Sequence, residues 1–417
     1  MKKAAFYTLG CKVNMYESEA MAGLFEQHGY EIVDQHEKAD IYIINTCTVT
    51  AVGDKKSRQM IRRAKRLNPQ AVIAVTGCYA QVAPDEVSAI EGVDIVIGNE
   101  HKDKIVEIAE STLNKQVSLV GEISNHYEDF GTGVYHSHTR ATLKIQDGCD
   151  SFCTYCIIPY ARGRVRSRSA ESIINEVKSL AKQGFIEIVL VGIHLASYGK
   201  DLEQGDLISV IEEINKIDGI KRIRLGSLEP KCLTDDFVNR IKKLEKMCPH
   251  FHVSLQSGCD ATLKRMNRKY LMKEYFEGLE RLRTIPDVSI TTDVMVGFPG
   301  ETEEEFAESL ANVEKCGFSS AHIFPYSVRK GTPAAKMPCQ VPENIKAERA
   351  AKMANLTEAM KKKFEEKYIG KTVEVLFEQD GKGFTSNYIH VHAEGGKGLE
   401  KIIITGVDKE GLKGELC

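Results

Sequence analysis

The chain has 417 residues, 42% of them hydrophobic and 28% charged, with 33 Gly and 11 Pro. That composition fits two or three ordinary folded domains and excludes a single small binding module, a low-complexity chain or a disordered one. Lys and Arg number 56 against 59 Asp and Glu, a net charge of −3, so no global positive field announces a nucleic-acid partner and any such role must rest on local patches.

From Lys3 to about residue 110, short apolar runs (AAFYTLG, DIYIINT, AVIAVTG, DIVIGNE) alternate with helix-like stretches, the pattern of a parallel α/β sheet. A first α/β domain is expected over residues 1–120. Three of its runs end on a cysteine, Cys11 after FYTLG, Cys47 after YIINT and Cys78 after VIAVTG. The C-terminal ends of parallel strands face a common crevice, so three thiols separated in sequence are expected to converge. Buried structural thiols are the alternative. The strand-end positions favour a metal centre, and three Cys without a recurrent His suit an iron–sulfur cluster with one open iron better than zinc.

Within this domain KKSRQMIRRAKR places Lys55, Lys56, Arg58, Arg62, Arg63, Lys65 and Arg66 on a helix whose apolar stripe is read as Met60, Ala64 and Leu67. A solvated face is the bland reading of a charge run; seven cations with no acid between them favour contact with RNA phosphates. Residues 121–138, rich in Gly, Asn and His without periodicity, read as a linker or strap.

A second domain, 139–366, offers six strands (TLKIQ, IEIVLVG, KRIRLGS, FHVSLQ, VSITTDVMVGF, SAHIFPY) alternating with helical stretches that Ser169 and Thr234 open as N-caps. Directly after the first strand, GCDSFCTYC supplies Cys149, Cys153 and Cys156 within eight residues. A cubane with three protein ligands keeps one iron free for another partner; zinc completed by His136 or His138 is the alternative, outside any usual finger spacing. Arg162, Arg164, Arg166 and Arg168 follow a few residues later and are expected to place RNA phosphates beside the site. A long helix is read from about Glu343 to Tyr368. After it, short strands with Gly turns over 367–417 predict a small β-barrel. That last piece has seven Lys, no Arg and eight Asp or Glu; Tyr368, Phe377, Phe384 and Tyr388 read as barrel core or as base-stacking surfaces. Basic residues open the chain, but Lys12 interrupts before a run of signal-peptide length forms, and no apolar run reaches about 18 residues, which predicts a cytoplasmic protein without a membrane segment. Twelve cysteines in such a compartment point to metal binding or chemistry rather than disulfides. Of the other cysteines, read as buried or incidental thiols, Cys259 is the exception, since it follows SLQSG near a barrel mouth within reach of the site, though nothing in the spacing requires a role; His194 also follows a strand end and reads as structural.

The CxxxCxxC spacing, with Tyr155 before the last Cys, resembles the radical S-adenosylmethionine superfamily. TLGCKVNMYES, INTCTVTAVGDKKSRQMIRRAK, TGCYAQ and DGCDSFCTYCIIPYARGRVRSR are similar to its methylthiotransferase branch over essentially the whole chain, and GCKVN with YES resembles the MtaB-like tRNA enzymes. The resemblance implies a partial (β/α)6 barrel between the N-terminal domain and a TRAM-like barrel. It further implies S-adenosylmethionine as cofactor, two [4Fe-4S] clusters, an external electron donor, a sulfur source and tRNA as partner. In βα barrels the working residues sit at strand C-termini, so Gly192, Ser227 with Glu229, Gln256 and the Gly297–Glu301 turn are candidate cofactor contacts; the resemblance puts the turn behind the adenine and the GSLEP and SLQSG stretches near methionine and ribose. The implied reaction adds CH3–S at carbon 2 of threonylcarbamoyladenosine in tRNA. Isopentenyladenosine in tRNA or a ribosomal-protein side chain is the rival acceptor, a radical enzyme with a different first-domain cofactor a more distant rival, and a non-catalytic iron–sulfur RNA-binding sensor the rival of another class. Nothing in the sequence specifies an oligomeric state.

Overall fold

The structure, a computed structural model, describes residues 1–49, 51–112, 116–129, 139–203, 205–379 and 381–417; His136 and His138 lie outside them. The N-terminal sheet is built from β1 (Lys3–Thr8), β2 (Glu31–Val33), β3 (Ile41–Thr46), β4 (Val72–Gly77), β5 (Ile95–Ile97) and β6 (Val117–Leu119), with helices α1 (Lys12–Gln27), α2 (Ala51–Leu67) and α3 (Cys78–Val82) among its connections. All neighbours are parallel, in the order β2-β1-β3-β4-β5-β6. The apolar runs form the central strands because both sheet faces are covered: Tyr42, Ile44, Ile73 and Val75 pack to one side with Ile61 and Ala64 of α2, and Ile41, Ile43 and Ala74 to the other with Met21 and Phe25 of α1. The three-residue strands β2, β5 and β6 are too short to carry a periodic signal, and β2 and β6, which the sequence did not announce, are the two edges.

The second unit holds β7 (Arg140–Asp147), β8 (Arg166–Ser167), β9 (Glu187–Gly192), β10 (Arg222–Leu225), β11 (Ser227–Leu228), β12 (His250–Val253), β13 (Ser289–Val296) and β14 (Ser320–Pro325). They make two four-stranded sheets, β10-β9-β7-β8 and β11-β12-β13-β14. At Gly226 one expected strand changes partners, from Leu225 opposite Leu190 to Ser227 opposite His252, so the sheets continue one another as a partial βα barrel. Ser169 and Thr234 do cap their helices, accepting from the backbone N–H of Ser172 and Phe237. Ile145, Leu190, Ile211, Phe251, Leu263 and Leu279 belong to the largest core.

The helix Glu343–Glu365 runs along β14 and leads into a closed barrel of β15 (Thr372–Gln379), β16 (Lys382–Thr385), β17 (His390–His392), β18 (Leu399–Val407) and β19 (Leu412–Leu416), ordered β15-β16-β17-β19-β18. It packs under the N-terminal ends of the central strands: Arg222 donates to the Glu374 carbonyl at 3.0 Å, Arg224 to that of Ser386 at 3.0 Å, and Asn387 to that of Asp287 at 3.0 Å. Phe384 stacks on Tyr388 at 4.7 Å and Tyr388 on His250 at 4.8 Å, while Tyr368 and Phe377 are buried in the barrel core. Of the aromatics that the sequence left open to RNA, Tyr368 and Phe377 are thus core, while Phe384 and Tyr388 stay half-buried.

Candidate active site

The order of the N-terminal sheet reverses between β1 and β3, where open α/β sheets bind ligands. Cys11 follows β1 as the residue before α1, Cys47 follows β3, and Cys78 begins α3 directly after β4. The approach is close enough to require glycine at Gly10: its φ is +108°, and a Cβ there would lie 2.9 Å from Cys47 Cβ and 3.1 Å from its sulfur. Burial raises the Cys11 and Cys47 thiols, and each is raised further by Cys78.

The second trio occupies the loop after β7. Gly148, with φ +71°, turns the chain out of the strand where a Cβ would meet the Arg164 carbonyl at 1.7 Å. The loop is pinned by Cys149 N–H to the Gly163 carbonyl at 3.0 Å and Thr154 N–H to that of Met266 at 3.0 Å. Asn267 Nδ2 donates to the Phe152 carbonyl at 3.0 Å. Burial pushes the Cys156 thiol up to about 12, and its two fellow cysteines add to the rise.

Each trio receives one guanidinium N–H. Arg162 Nε donates to Cys78 Sγ at 3.3 Å, and Arg268 Nη1 donates to Cys153 Sγ at 3.3 Å. Donors of this kind favour thiolate over thiol. Among the described residues no three His, Cys, Asp or Glu close on one point as a single metal ion demands, and a lone zinc would draw its thiolates to about 2.3 Å. Three thiols to a set, with a cationic donor beside one of them, are a donor set suited to an iron–sulfur cluster.

Arg162 also joins the two units. It is fully buried; its Nη1 lies 2.8 Å from Glu17 and 3.0 Å from Asp147, and its Nη2 donates to Asn14 at 2.6 Å. Lys102 and Lys144 reach Glu17 at 2.5 and 2.7 Å, and Lys144 reaches Asp147 at 2.6 Å. These cations hold both carboxylates well below the usual range against the opposing effect of burial.

Between sheet, partial barrel and C-terminal barrel lies a cavity of about 490 Å³, entered by Cys11 and Lys12 from the first unit, Gly192, Ser227, His252 and Thr291 from the second, and Tyr388 from the third.

Profiles described as "Uncharacterized protein family UPF0004" and "Radical SAM superfamily" match residues 3–98 and 143–313. The threonylcarbamoyladenosine tRNA methylthiotransferase MtaB of Bacillus subtilis is 44% identical over 95% of this chain and 91% of its own length; that of Aquifex aeolicus is 43% identical over 96% and 99%. A tRNA-2-methylthio-N(6)-dimethylallyladenosine synthase of Acetivibrio thermocellus is 40% identical over 89% and 79%. The chain belongs to the radical S-adenosylmethionine methylthiotransferases. As a radical SAM enzyme it uses S-adenosylmethionine and a [4Fe-4S] cluster. In fold it is similar to the radical S-adenosylmethionine methyltransferase TsrM of Kitasatospora setae, with a TM-score of 0.61 at 15% identity over 80% of this chain and 77% of that one.

In this methylthiotransferase the candidate cofactor residues stand at or beside strand ends of the partial barrel. Tyr155 packs against Phe298 of the Gly297–Glu301 turn, ring centres 6.4 Å apart. Glu229 lies 2.7 Å from Arg268, linking it to Cys153, and 3.7 Å from His194. Ser227 pairs with Ser254 at 2.8 Å. Gln256 bridges to β13 in a left-handed conformation, φ 69°, and Gly297 N–H donates to Glu301 at 2.9 Å. Cys259 points elsewhere, toward Glu308 at 3.2 Å.

The arginine run needs correction. Arg162, Arg166 and Arg168 are buried, not phosphate contacts. Arg166 pairs with Glu100 at 3.1 Å and donates to the Ser124 carbonyl, and Arg168 pairs with Asp129 at 2.9 Å and with Glu176. Two of the three thus hold residues 121–129 against the barrel, since a buried guanidinium must find carboxylates. Only Arg164 faces solvent, its side chain 64% exposed. On α2, Lys55, Lys56, Arg62, Arg63 and Arg66 are exposed, whereas Arg58 donates to the Tyr79 hydroxyl at 2.9 Å. The buried stripe is Ser57, Ile61, Ala64 and Asn68, with Met60 and Leu67 on its flank. Sequence reasoning missed Arg268, Lys12 and His252. Lys12 stood beside a selected cysteine as a signal; the other two carried none.

Proposed function

We propose that the enzyme inserts a methylthio group at carbon 2 of threonylcarbamoyladenosine at position 37 of tRNA, holding one [4Fe-4S] cluster on Cys149, Cys153 and Cys156 and a second on Cys11, Cys47 and Cys78. The observation that carries this is the pair of three-thiol sets, each with one guanidinium donor, at strand ends on the two sides of one interface. The names of its 44% and 43% identical relatives support the nucleoside.

When bound, the clusters and two S-adenosylmethionine molecules supply a methyl group for sulfur and a 5′-deoxyadenosyl radical that takes the hydrogen from carbon 2, with electrons from an external donor and sulfur from a separate source. The chain's residues do the rest. Tyr155 on Phe298 walls the cofactor side of the loop, and Gly192, Ser227, Glu229, Gln256 and Gly297 line the place where S-adenosylmethionine lies. Arg268 and Arg162 hold cationic N–H groups on one sulfur of each set. The exposed cations Lys55, Lys56, Arg62 and Arg63, together with Arg164, hold the phosphates of the anticodon stem-loop.

Anaerobic reconstitution should give about eight irons per chain, falling to about four when either trio is changed to Ala. Incubation with S-adenosylmethionine, reductant and tRNA bearing either threonylcarbamoyladenosine or isopentenyladenosine, followed by nucleoside mass spectrometry, should give a methylthio product from the first alone. Product from the second alone overturns the acceptor. 5′-Deoxyadenosine without product from either moves the search to ribosomal proteins.

A further inference from the structure

Of the charged residues that line the cavity, Lys361 and Glu365 face each other at 3.9 Å, while Lys12 has no such partner among the described residues. Lys12 stands on the cavity wall one residue from Cys11. Nearby Arg140 pairs with Glu378, and Arg224 with Glu187 at 2.8 Å, but among the described residues Lys12 makes no ion pair; its ammonium lies 5.9 Å from the centre of the Tyr388 ring. Lys12 is exposed to this space, and its nearest carboxylates, Glu187 and Glu378, are already paired, so the ammonium is free to meet an incoming anion.

Polar groups line the same space. Thr291 Oγ1 sits between His250 Nε2 at 3.1 Å and His252 Nδ1 at 3.0 Å. His250 is 6% exposed, and its Nδ1 has no hydrogen-bond partner among the described residues. That nitrogen is sealed from the cavity, so Thr291 and the more open His252 are the polar groups this wall offers. The volume, about 490 Å³, is ample for a small polar group.

Resting on the reading that the acceptor is threonylcarbamoyladenosine, we propose that this cavity receives the threonylcarbamoyl arm, its carboxylate paired with Lys12 and its hydroxyl or urea groups reaching Thr291 and His252. Lys12 is then a specificity-determining residue. An apolar N6 substituent brings no charge and would leave Lys12 covered and unpaired, and sites built around such a partner reject analogues that lack it.

The test uses the reconstituted full-length enzyme and three fluorescent anticodon stem-loops, carrying threonylcarbamoyladenosine, its carboxylate methyl ester, or isopentenyladenosine. Wild type should bind the acid at least about tenfold more tightly than the ester, and Lys12→Met should lose that preference while holding the ester as wild type does. Lys12→Arg should keep much of it. Iron content and melting temperature identify a Lys12→Met chain that has lost its cluster or fold, and Lys12→Arg, compared over acid and ester, then decides. A wild type that treats acid and ester alike, or a Lys12→Met chain that separates them as wild type does, overturns the inference. If the same wild type nonetheless methylthiolates the acid-bearing RNA, the functional reading stands; if it modifies neither that RNA nor its ester, both fall.

Discussion

Arg162 shows what one buried side chain is worth. Replacing it with Met leaves Glu17 and Asp147 short of a partner, and breaking a buried pair from one side costs about 3–5 kcal/mol. Urea unfolding of the iron-free protein should report that loss, and Lys should restore only part of it, because the fork to Glu17, Asp147 and Asn14 is lost; a loss below about 1 kcal/mol would contradict the account. Glu128 sets a pH dependence of opposite origin. Burial, with a hydrogen bond to Asp103, raises its carboxyl to about 7. The folded chain therefore holds this proton more tightly than the unfolded chain, and the stability so contributed is complete below the ordinary value of 4.5 and lost as pH rises through about 7. Glu128→Gln should melt higher than wild type at about pH 8, with the gap closing toward about pH 4.5.

Among the elements, α2 and the loop after β7 make separable predictions. Charge reversal at Lys55, Lys56, Arg62 and Arg63 should flatten the salt dependence of tRNA binding by about 0.7–0.9 for each phosphate no longer held and leave unfolding unchanged; an unaltered slope removes α2 from the RNA surface. Gly148→Ala should displace the loop, because the clash is with backbone, and lower bound iron while the N-terminal trio keeps its share. The strand-end cysteines were legible because an apolar run followed by Cys fixes both an element and the edge on which it ends. The six central strands were legible for the same reason, each bounded by turns. What the Arg run does was not legible. Whether Arg166 meets a phosphate or Glu100 depends on a partner 66 residues away, and spacing within the run says nothing of it. Lys12 was visible only as part of a word; that it faces His252 and Tyr388 follows from three units closing on one space.

At the level of the whole molecule, two kinds of electrostatics are kept apart. The pairs that join the N-terminal sheet to the partial barrel are buried, where salt screens little, whereas the α2 cations are wet and within reach of screening ions. Raising salt should therefore weaken tRNA binding steeply while the melting temperature of the iron-free protein barely moves; a parallel decline of both would place the joint in solvent. The joint also imposes an order on synthesis. Glu17 and Arg162 lie 145 residues apart, so as the chain leaves the ribosome the N-terminal sheet can condense, but the face bearing Glu17 stays wet until the barrel's first strand and its arginines emerge. Through that interval Cys11, Cys47 and Cys78 stand at an unclosed edge, which makes the growing chain the stage at which the first trio is most open to oxidation or to loading.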